Sequence, residues 1–140
     1  MDIAPSVAYT CQFGELREVR GVVMLRGDAI VLEYQTQDGL LGVFKSVLIT
    51  KQIPLAEIDA FEFNRSWFGL FSSITIRTRS MQTLSDIAGG EQNRLELNLD
   101  RSERKHAQDL AYHVRLKISE RALKQLDSPP VSQLEQPGRQ

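Results

Sequence analysis

The chain has 140 residues, 17 Lys and Arg against 18 Asp and Glu, and a formal net charge of -1. This length fits one domain with its own core, and the near balance of charges excludes a global basic field that would concentrate nucleic acid or anionic lipid. Cys11 is the only cysteine, which excludes an internal disulfide and leaves no second thiol for a thiolate metal site.

The two ends of the chain are predicted to flank one domain. Residues 1–12 show no clear period and are expected to form a loose lead-in to a domain over residues 13–127. Residues 128–140 are polar and contain proline, which predicts a disordered tail. The N-terminus lacks the features of a signal peptide, and no stretch approaches the roughly 18 apolar residues of a membrane span. We therefore expect a cytoplasmic protein.

Alternating apolar and polar side chains then predict strands in chain order. The predicted strands cover residues 15–25, 30–35, 44–53, 61–64, 74–77, 81–87 and 94–99. The first is apolar on both faces, which favours a bulge near Gly21, and Gly27-Asp28 suits a two-residue hairpin turn. Pro54 ends the third strand because proline cannot donate to a sheet ladder.

The period changes after the last strand and predicts a helix over residues 101–126. Asp100 and Glu103 have the spacing of an N-terminal capping pair. The apolar positions that share one helical stripe are Ala107, Leu110, Ala111, Val114 and Ile118. This stripe is expected to pack on the sheet.

Three segments point to a family. They are Gly21-Val22-Val23 ahead of the Gly27-Asp28 turn, Ile53-Pro54-Leu55-Ala56-Glu57-Ile58, and Ile74-Thr75-Ile76-Arg77-Thr78-Arg79. With the order of seven strands and a C-terminal helix, the chain from Phe13 to Leu126 resembles bacterial pleckstrin-homology-like (PH-like) domains. The resemblance implies a mainly β fold, a seven-stranded antiparallel sandwich or partly open barrel capped by the helix. It also implies an adaptor that forms homo-oligomers, with no catalysis and no cofactor.

The lipid-binding members of that superfold carry basic residues along a long first hairpin loop. The hairpin matched to it here is Arg26-Gly27-Asp28, which is short and contains an acid. Phosphoinositide recognition is therefore not expected.

The connection from Ser66 to Phe71 is unusual because it holds three aromatic residues, Trp67, Phe68 and Phe71, together with Leu70. Two interpretations stay open. The rings either fold back over the barrel end and complete the core, or they form an exposed apolar patch for a partner.

The helix carries a second apolar stripe, formed by Tyr112, Leu116 and Leu123. At about 1.5 Å per residue the predicted helix is about 39 Å long, longer than a strand of eight residues, so it should overhang the sheet. The stripe is explained either by fraying after Ile118, with ordinary surface leucines, or by packing on a second copy or another protein.

The remaining candidates are weaker. His106 and His113 are two helical turns apart, roughly 10 Å, too far to share a metal ion. Cys11 has no neighbouring base in sequence and no nucleophile signature. Arg77, Arg79 and Arg94 either form the solvated outer face of a sheet or meet as an anion patch.

The sequence therefore predicts a non-catalytic interaction or scaffolding module that acts through protein contacts and associates with itself. The candidate surface consists of Trp67, Phe68, Leu70, Phe71, Tyr112, Leu116 and Leu123. The alternative is a peripheral membrane module that uses the loop 67–71 with Arg65, and a small enzyme inside a β-barrel ranks last. No catalytic residue, metal, cofactor or nucleic acid is expected.

Overall fold

The computed structural model describes residues 4–12, 17–38, 43–44, 47–66 and 71–127. In these residues the chain forms an antiparallel sheet followed by one α-helix. The predicted fold class, mainly β with a C-terminal helix, is confirmed. The predicted tail, residues 128–140, lies outside the described residues.

The described part contains eight strands, of which seven have six or more residues. The strands are β1 (Val7–Gln12), β2 (Arg17–Arg26), β3 (Ala29–Asp38), β4 (Val43–Phe44), β5 (Ile49–Pro54), β6 (Ile58–Arg65), β7 (Ser72–Thr78) and β8 (Arg94–Leu99), and the helix is α1 (Arg104–Asp127). Short 3-10 helices lie at Leu55–Glu57, Met81–Leu84 and Arg101–Glu103.

The sheet consists of two antiparallel meanders. In the first, β1 pairs with β2, β2 with β3, and β3 with both β4 and β5. In the second, β6 pairs with β7 and β7 with β8. The meanders join where β1 meets β8, through the single residue pair Thr10 and Asn98. No pairing among the described strands links β6 back to β5, so the sheet is not closed.

One hydrophobic core lies between the meanders. Successive strand residues point to opposite faces, and the inward set is apolar. Its largest fully buried side chains are Tyr34 from the first meander and Phe61 from the second. Both meanders and α1 contribute to the same cluster of buried residues.

The turn between β2 and β3 is as predicted, because Gly27 adopts a φ of 58° and Arg26 pairs with Ala29 across two residues. The predicted bulge at Gly21 is wrong. Pairing of β2 with β1 and β3 runs through Gly21 without a shift. A Cβ at this position would lie 2.5 Å from the Glu33 carbonyl oxygen and 2.6 Å from the Tyr34 Cβ. Glycine is needed here for close packing on β3.

The predicted loose lead-in is also wrong, because residues 7–12 form β1 and pair with β2 along their whole length. Val7, Tyr9 and Cys11 are buried, whereas Ala8 and Gln12 are exposed. The period of two is present in the sequence. It is weak because an alanine occupies the exposed face and a cysteine serves as an apolar core residue.

This shift changes the position of the first hairpin. Arg26-Gly27-Asp28 joins β2 to β3, whereas the first hairpin joins β1 to β2 through residues 13–16, which lie outside the described residues. Residues 13–16 are Phe-Gly-Glu-Leu and contain no basic residue. The expectation against phosphoinositide recognition therefore stays a prediction, and Arg26-Gly27-Asp28 is not the hairpin on which it should depend.

Two other predicted strands differ from the structure. Residues 81–87 form no strand, because the Ser80 hydroxyl accepts a hydrogen bond from the Gln82 amide at 3.1 Å and starts a 3-10 helix. Leu84 and Ile87 are nonetheless buried in the core. In the predicted strand 44–53, β5 begins only at Ile49, and Val47 is exposed.

The helix begins differently from the prediction. The Asp100 side chain makes no capping bond, and Arg101–Glu103 forms a 3-10 turn before α1. The Glu103 carboxylate instead accepts a hydrogen bond from the Ala8 amide at 2.9 Å, which ties the start of the helix to β1. The core stripe is confirmed for Ala107, Leu110, Ala111 and Val114, all buried, with Ile118 packed at its edge.

Replacing Leu110 with Asp tests this packing. Leu110 is 0% exposed, so Leu110→Asp leaves an unpaired charge in the core and is expected to lower the free energy of unfolding by about 3 to 5 kcal/mol. The control is Ala122→Asp on the same helix, where the side chain is exposed and the change should be small. Equal urea midpoints for the two variants would contradict the packing of α1.

Candidate interaction surface

The outward side of α1 carries apolar side chains that the core does not use. Tyr112, Leu116 and Leu123 are 63%, 44% and 59% exposed. At about 100° per residue, they lie within about 40° of one another and about 160° from the centre of the core stripe. The predicted second stripe is therefore a solvent-facing surface, and the helix is regular to Asp127 rather than frayed after Ile118.

The second stripe, which we call the outer stripe, consists of positions spaced alternately three and four residues apart. The positions are Asp109, Tyr112, Leu116, Ser119, Leu123 and Leu126. Leu126, which is 80% exposed, extends the stripe beyond the residues predicted from the sequence. Apolar residues at four of six such positions are typical of a helix that packs along a second helix.

Two depressions border the outer stripe. One, of about 470 Å³, lies between Phe63 of β6 and the helix, beside Ala111 and Arg115. The other, of about 310 Å³, lies on the opposite side of the helix, beside Leu25 and Lys117. Leu116 borders both. It therefore stands on a ridge that a partner surface can enclose from two sides.

Polar contacts hold α1 in this position. Arg121 pairs with Asp28 of the β2–β3 turn at 3.3 Å, and the Glu103 contact with Ala8 holds the other end. After Arg121 the side chains of residues 122–126 are exposed, as expected for a helix that overhangs its sheet. On the outer stripe, the His113 ring packs edge to face on Tyr112, with ring centroids 5.7 Å apart.

The aromatic connection forms a separate surface. Phe71 is 74% exposed, so the interpretation that the rings complete the core is wrong for this residue. The Ser66 amide donates to the Phe71 carbonyl at 2.8 Å, and the Phe71 amide donates to the Ser66 hydroxyl at 3.0 Å. Trp67, Phe68 and Leu70 lie outside the described residues.

The structure does not bring Phe71 together with the helical candidates. Phe71 borders a depression with Arg65, Glu96 and Asn98, and none of its lining residues borders the two depressions beside α1. Other exposed apolar side chains that the sequence did not mark as a surface are Val47, Leu48 and Met81. They have no common period, so no sequence signal groups them.

Cys11 lies in the core, 4% exposed, with its Sγ 3.9 Å from the Ala88 carbonyl oxygen. Burial, helped by the charge of Glu18, raises the pKa of the Cys11 thiol to about 11. The thiol therefore stays protonated at neutral pH, and a protonated thiol is a poor nucleophile and a poor metal ligand.

The described residues contain no group of three or more His, Cys, Asp or Glu side chains placed to hold a metal ion. Among the helices that the structure describes, none has both the length and the apolar character needed to cross a membrane.

Comparison of the chain with protein-family models, with curated proteins and with solved structures finds no match in any of the three. The functional inference therefore depends on the geometry of the chain's own residues.

Cys11 is expected to react slowly with a disulfide reagent in the folded protein. Raising its pKa from 9.0 to about 11 lowers the thiolate fraction at pH 7 about 100-fold. The measurement compares the rate at which Cys11 is labelled in buffer with the rate in urea. In the folded protein, the labelling rate should keep rising as the pH is raised toward 11. Equal rates in buffer and in urea would show that the Cys11 thiol is as accessible and as readily ionised in the folded protein as in the unfolded chain, which would contradict its burial.

Proposed function

We propose that this chain is a non-catalytic interaction module that associates with a second copy of itself through the outer stripe of α1. The observation that supports this is the exposure of Tyr112, Leu116 and Leu123 at helix-pairing spacing on the side of α1 opposite the core. Burying such side chains removes apolar surface from water at about 25 cal/mol per Å².

A second copy fits because the stripe is self-complementary in an antiparallel arrangement. If two helices cross midway between Leu116 and Ser119, Leu116 of each lies opposite the small Ser119 of the other. Tyr112 then lies opposite Leu123. Each large side chain meets a position that can accommodate it, and the same contacts occur twice, as two-fold symmetry requires.

The charged residues favour the antiparallel orientation. In a parallel pair, Asp109 would face Asp109 of the second copy, and two like charges at one contact repel. In the antiparallel pair Asp109 lies opposite Leu126, near the end of the contact. His113 and Glu120 then face each other on one flank, where they can form a hydrogen bond or an ion pair.

The contact is small. From Tyr112 to Leu126 the stripe is about 21 Å long, and at a helix width of about 10 Å it covers roughly 210 Å². This is less than the patch of about 800 Å² per partner that a stable complex of standard size buries. We therefore expect a dimer that forms at micromolar or higher concentrations.

The non-catalytic assignment is supported by the buried, protonated state of Cys11. A lone thiol also suits the reducing cytoplasm, where we propose that the module acts. The order of a first meander with four strands of six or more residues and the two-residue β4, a second meander of three strands, and a helix supports the proposed relationship to bacterial PH-like domains, for which homo-oligomers are expected.

Leu116→Glu combined with Leu123→Glu tests self-association. Four added charges at a symmetric contact should convert the dimer to a monomer while the far-UV spectrum stays the same, because both side chains are exposed. Sedimentation equilibrium at high micromolar concentration measures the mass. The matched control is Ala122→Glu with Gln125→Glu, which adds the same charges to exposed positions outside the stripe and should remain dimeric.

A parent protein that is monomeric at high micromolar concentration would refute a second copy as the partner. Equal dissociation of both double variants would show that added charge alone, and not the stripe, disrupts the dimer.

Membrane contact is the second candidate, favoured by the exposure of Phe71 beside Arg65. We rank it lower because residues 13–16 carry no basic residue. The protein is expected not to sediment with neutral or phosphoinositide-containing vesicles. Salt-sensitive binding that Phe71→Ser abolishes, and that the exposed control Met81→Ser retains, would reverse this ranking.

A further inference from the structure

A polar cavity of about 640 Å³ lies at the junction of the two meanders, formed by residues of β1, β7, β8 and the segment before β8. Only Thr10 and Asn98 pair between β1 and β8. Had the pairing continued, Gln12 would lie opposite Glu96, and both residues instead line the cavity. Its volume is in the range of about 300 to 1,000 Å³ that small-molecule sites occupy.

Two arginines face each other in this cavity. Arg77 of β7 and Arg94 of β8 are directly opposite in the strand register, and both line the cavity. Residues in register share one face of the sheet, and like charges directly opposite each other are destabilising. The two positive charges need a counter-charge, and two acidic residues also line the cavity: Glu96, and Glu91, whose backbone pairs with that of Arg94.

Their existing partners do not supply it fully. Arg94 contacts the Glu96 carboxylate at 3.5 Å, and both side chains are about half exposed, so the pair is weak. Arg77 makes no hydrogen bond or ion pair with the residues that the structure describes. Arg79, which the sequence grouped with these two, is instead paired with Asp59 at 3.5 Å and lies outside the cavity.

The rest of the lining contains side-chain amides and a second carboxylate, Glu91, which forms no ion pair among the described residues. Gln12, Gln92 and Asn98 can each donate and accept hydrogen bonds. Cys11 lines the cavity in its neutral form, and Glu96 offers an acceptor beside the arginines. Such a set suits a ligand that carries both an oxyanion and hydroxyl groups.

We propose that this cavity binds a small hydroxylated oxyanion, a phosphate ester or a carboxylate, whose charged group bridges Arg77 and Arg94. Guanidinium groups bind such oxyanions through paired, charge-assisted hydrogen bonds, and the bound charge removes the repulsion between the two arginines. The ligand hydroxyls contact the surrounding amides and Glu96. This site shares no lining residue with the depressions beside α1, so it is independent of self-association.

The test is a titration with inorganic phosphate, glycerol phosphate and citrate at constant ionic strength, followed by the amide resonances of β7 and β8. We expect saturable changes in the amide chemical shifts of Arg77, Arg94 and Asn98. The probe that binds with the higher affinity, phosphate or carboxylate, then identifies the class of ligand. Arg77→Gln and Arg94→Gln should each weaken binding about tenfold or more, because each removes a charged hydrogen-bonding partner. The matched control, Arg79→Gln, should leave binding within about twofold of the parent protein.

Absence of saturable shifts with all three probes would overturn the proposal. Equal weakening by Arg79→Gln would also overturn it, because it would show a general response to lost positive charge. Without added anion, Arg77→Gln should melt at the same temperature as the parent protein or higher, since it relieves the repulsion. A clearly lower melting temperature would mean that Arg77 already has a stabilising partner, which contradicts the site.

Discussion

The packing of α1 across both meanders is the contact on which the rest of this structure depends. The meanders share one residue pair, Thr10 with Asn98, and the sheet does not close elsewhere among the described strands. The helix packs against β6 of the second meander and against β1 and β2 of the first. Its buried side chains therefore hold together two halves that their own backbone hydrogen bonds join only at one point.

The same incomplete junction explains both proposed functional surfaces. Because one side of α1 packs on the meanders, its opposite side faces solvent with Tyr112, Leu116 and Leu123. Glu103 and Arg121 make additional polar contacts with the sheet near the two ends of the helix. Because β1 separates from β8 after one pair, the junction leaves a polar cavity that contains Arg77 and Arg94. The surface proposed for a second copy and the site proposed for a small ligand thus both relate to the incomplete junction of the sheet.

Local patterns in the sequence predict the elements whose periods are strong. The β2–β3 turn follows from Gly27, and the core side of α1 follows from the spacing of Leu110 and Val114. The sequence does not predict β1, because Ala8 and Cys11 weaken the alternation of apolar and polar residues. It does not predict the 3-10 helix at Met81–Leu84 either, because that helix depends on a hydrogen bond from the Gln82 amide to the Ser80 hydroxyl. The register that sets Arg77 against Arg94 joins two separate strands. No local period contains that information, so the sequence could group these arginines with Arg79 but could not separate them.

Native-state hydrogen exchange at the amides of Leu110 and Val114 tests most directly whether α1 holds the meanders together. If it does, these amides exchange only when the whole domain unfolds, with the same opening free energy and the same denaturant dependence as the amide of Leu32 in the central strand β3. Exchange of the helix amides through a smaller opening, while the Leu32 amide stays protected, would show that the sheet persists without α1 and would contradict this account.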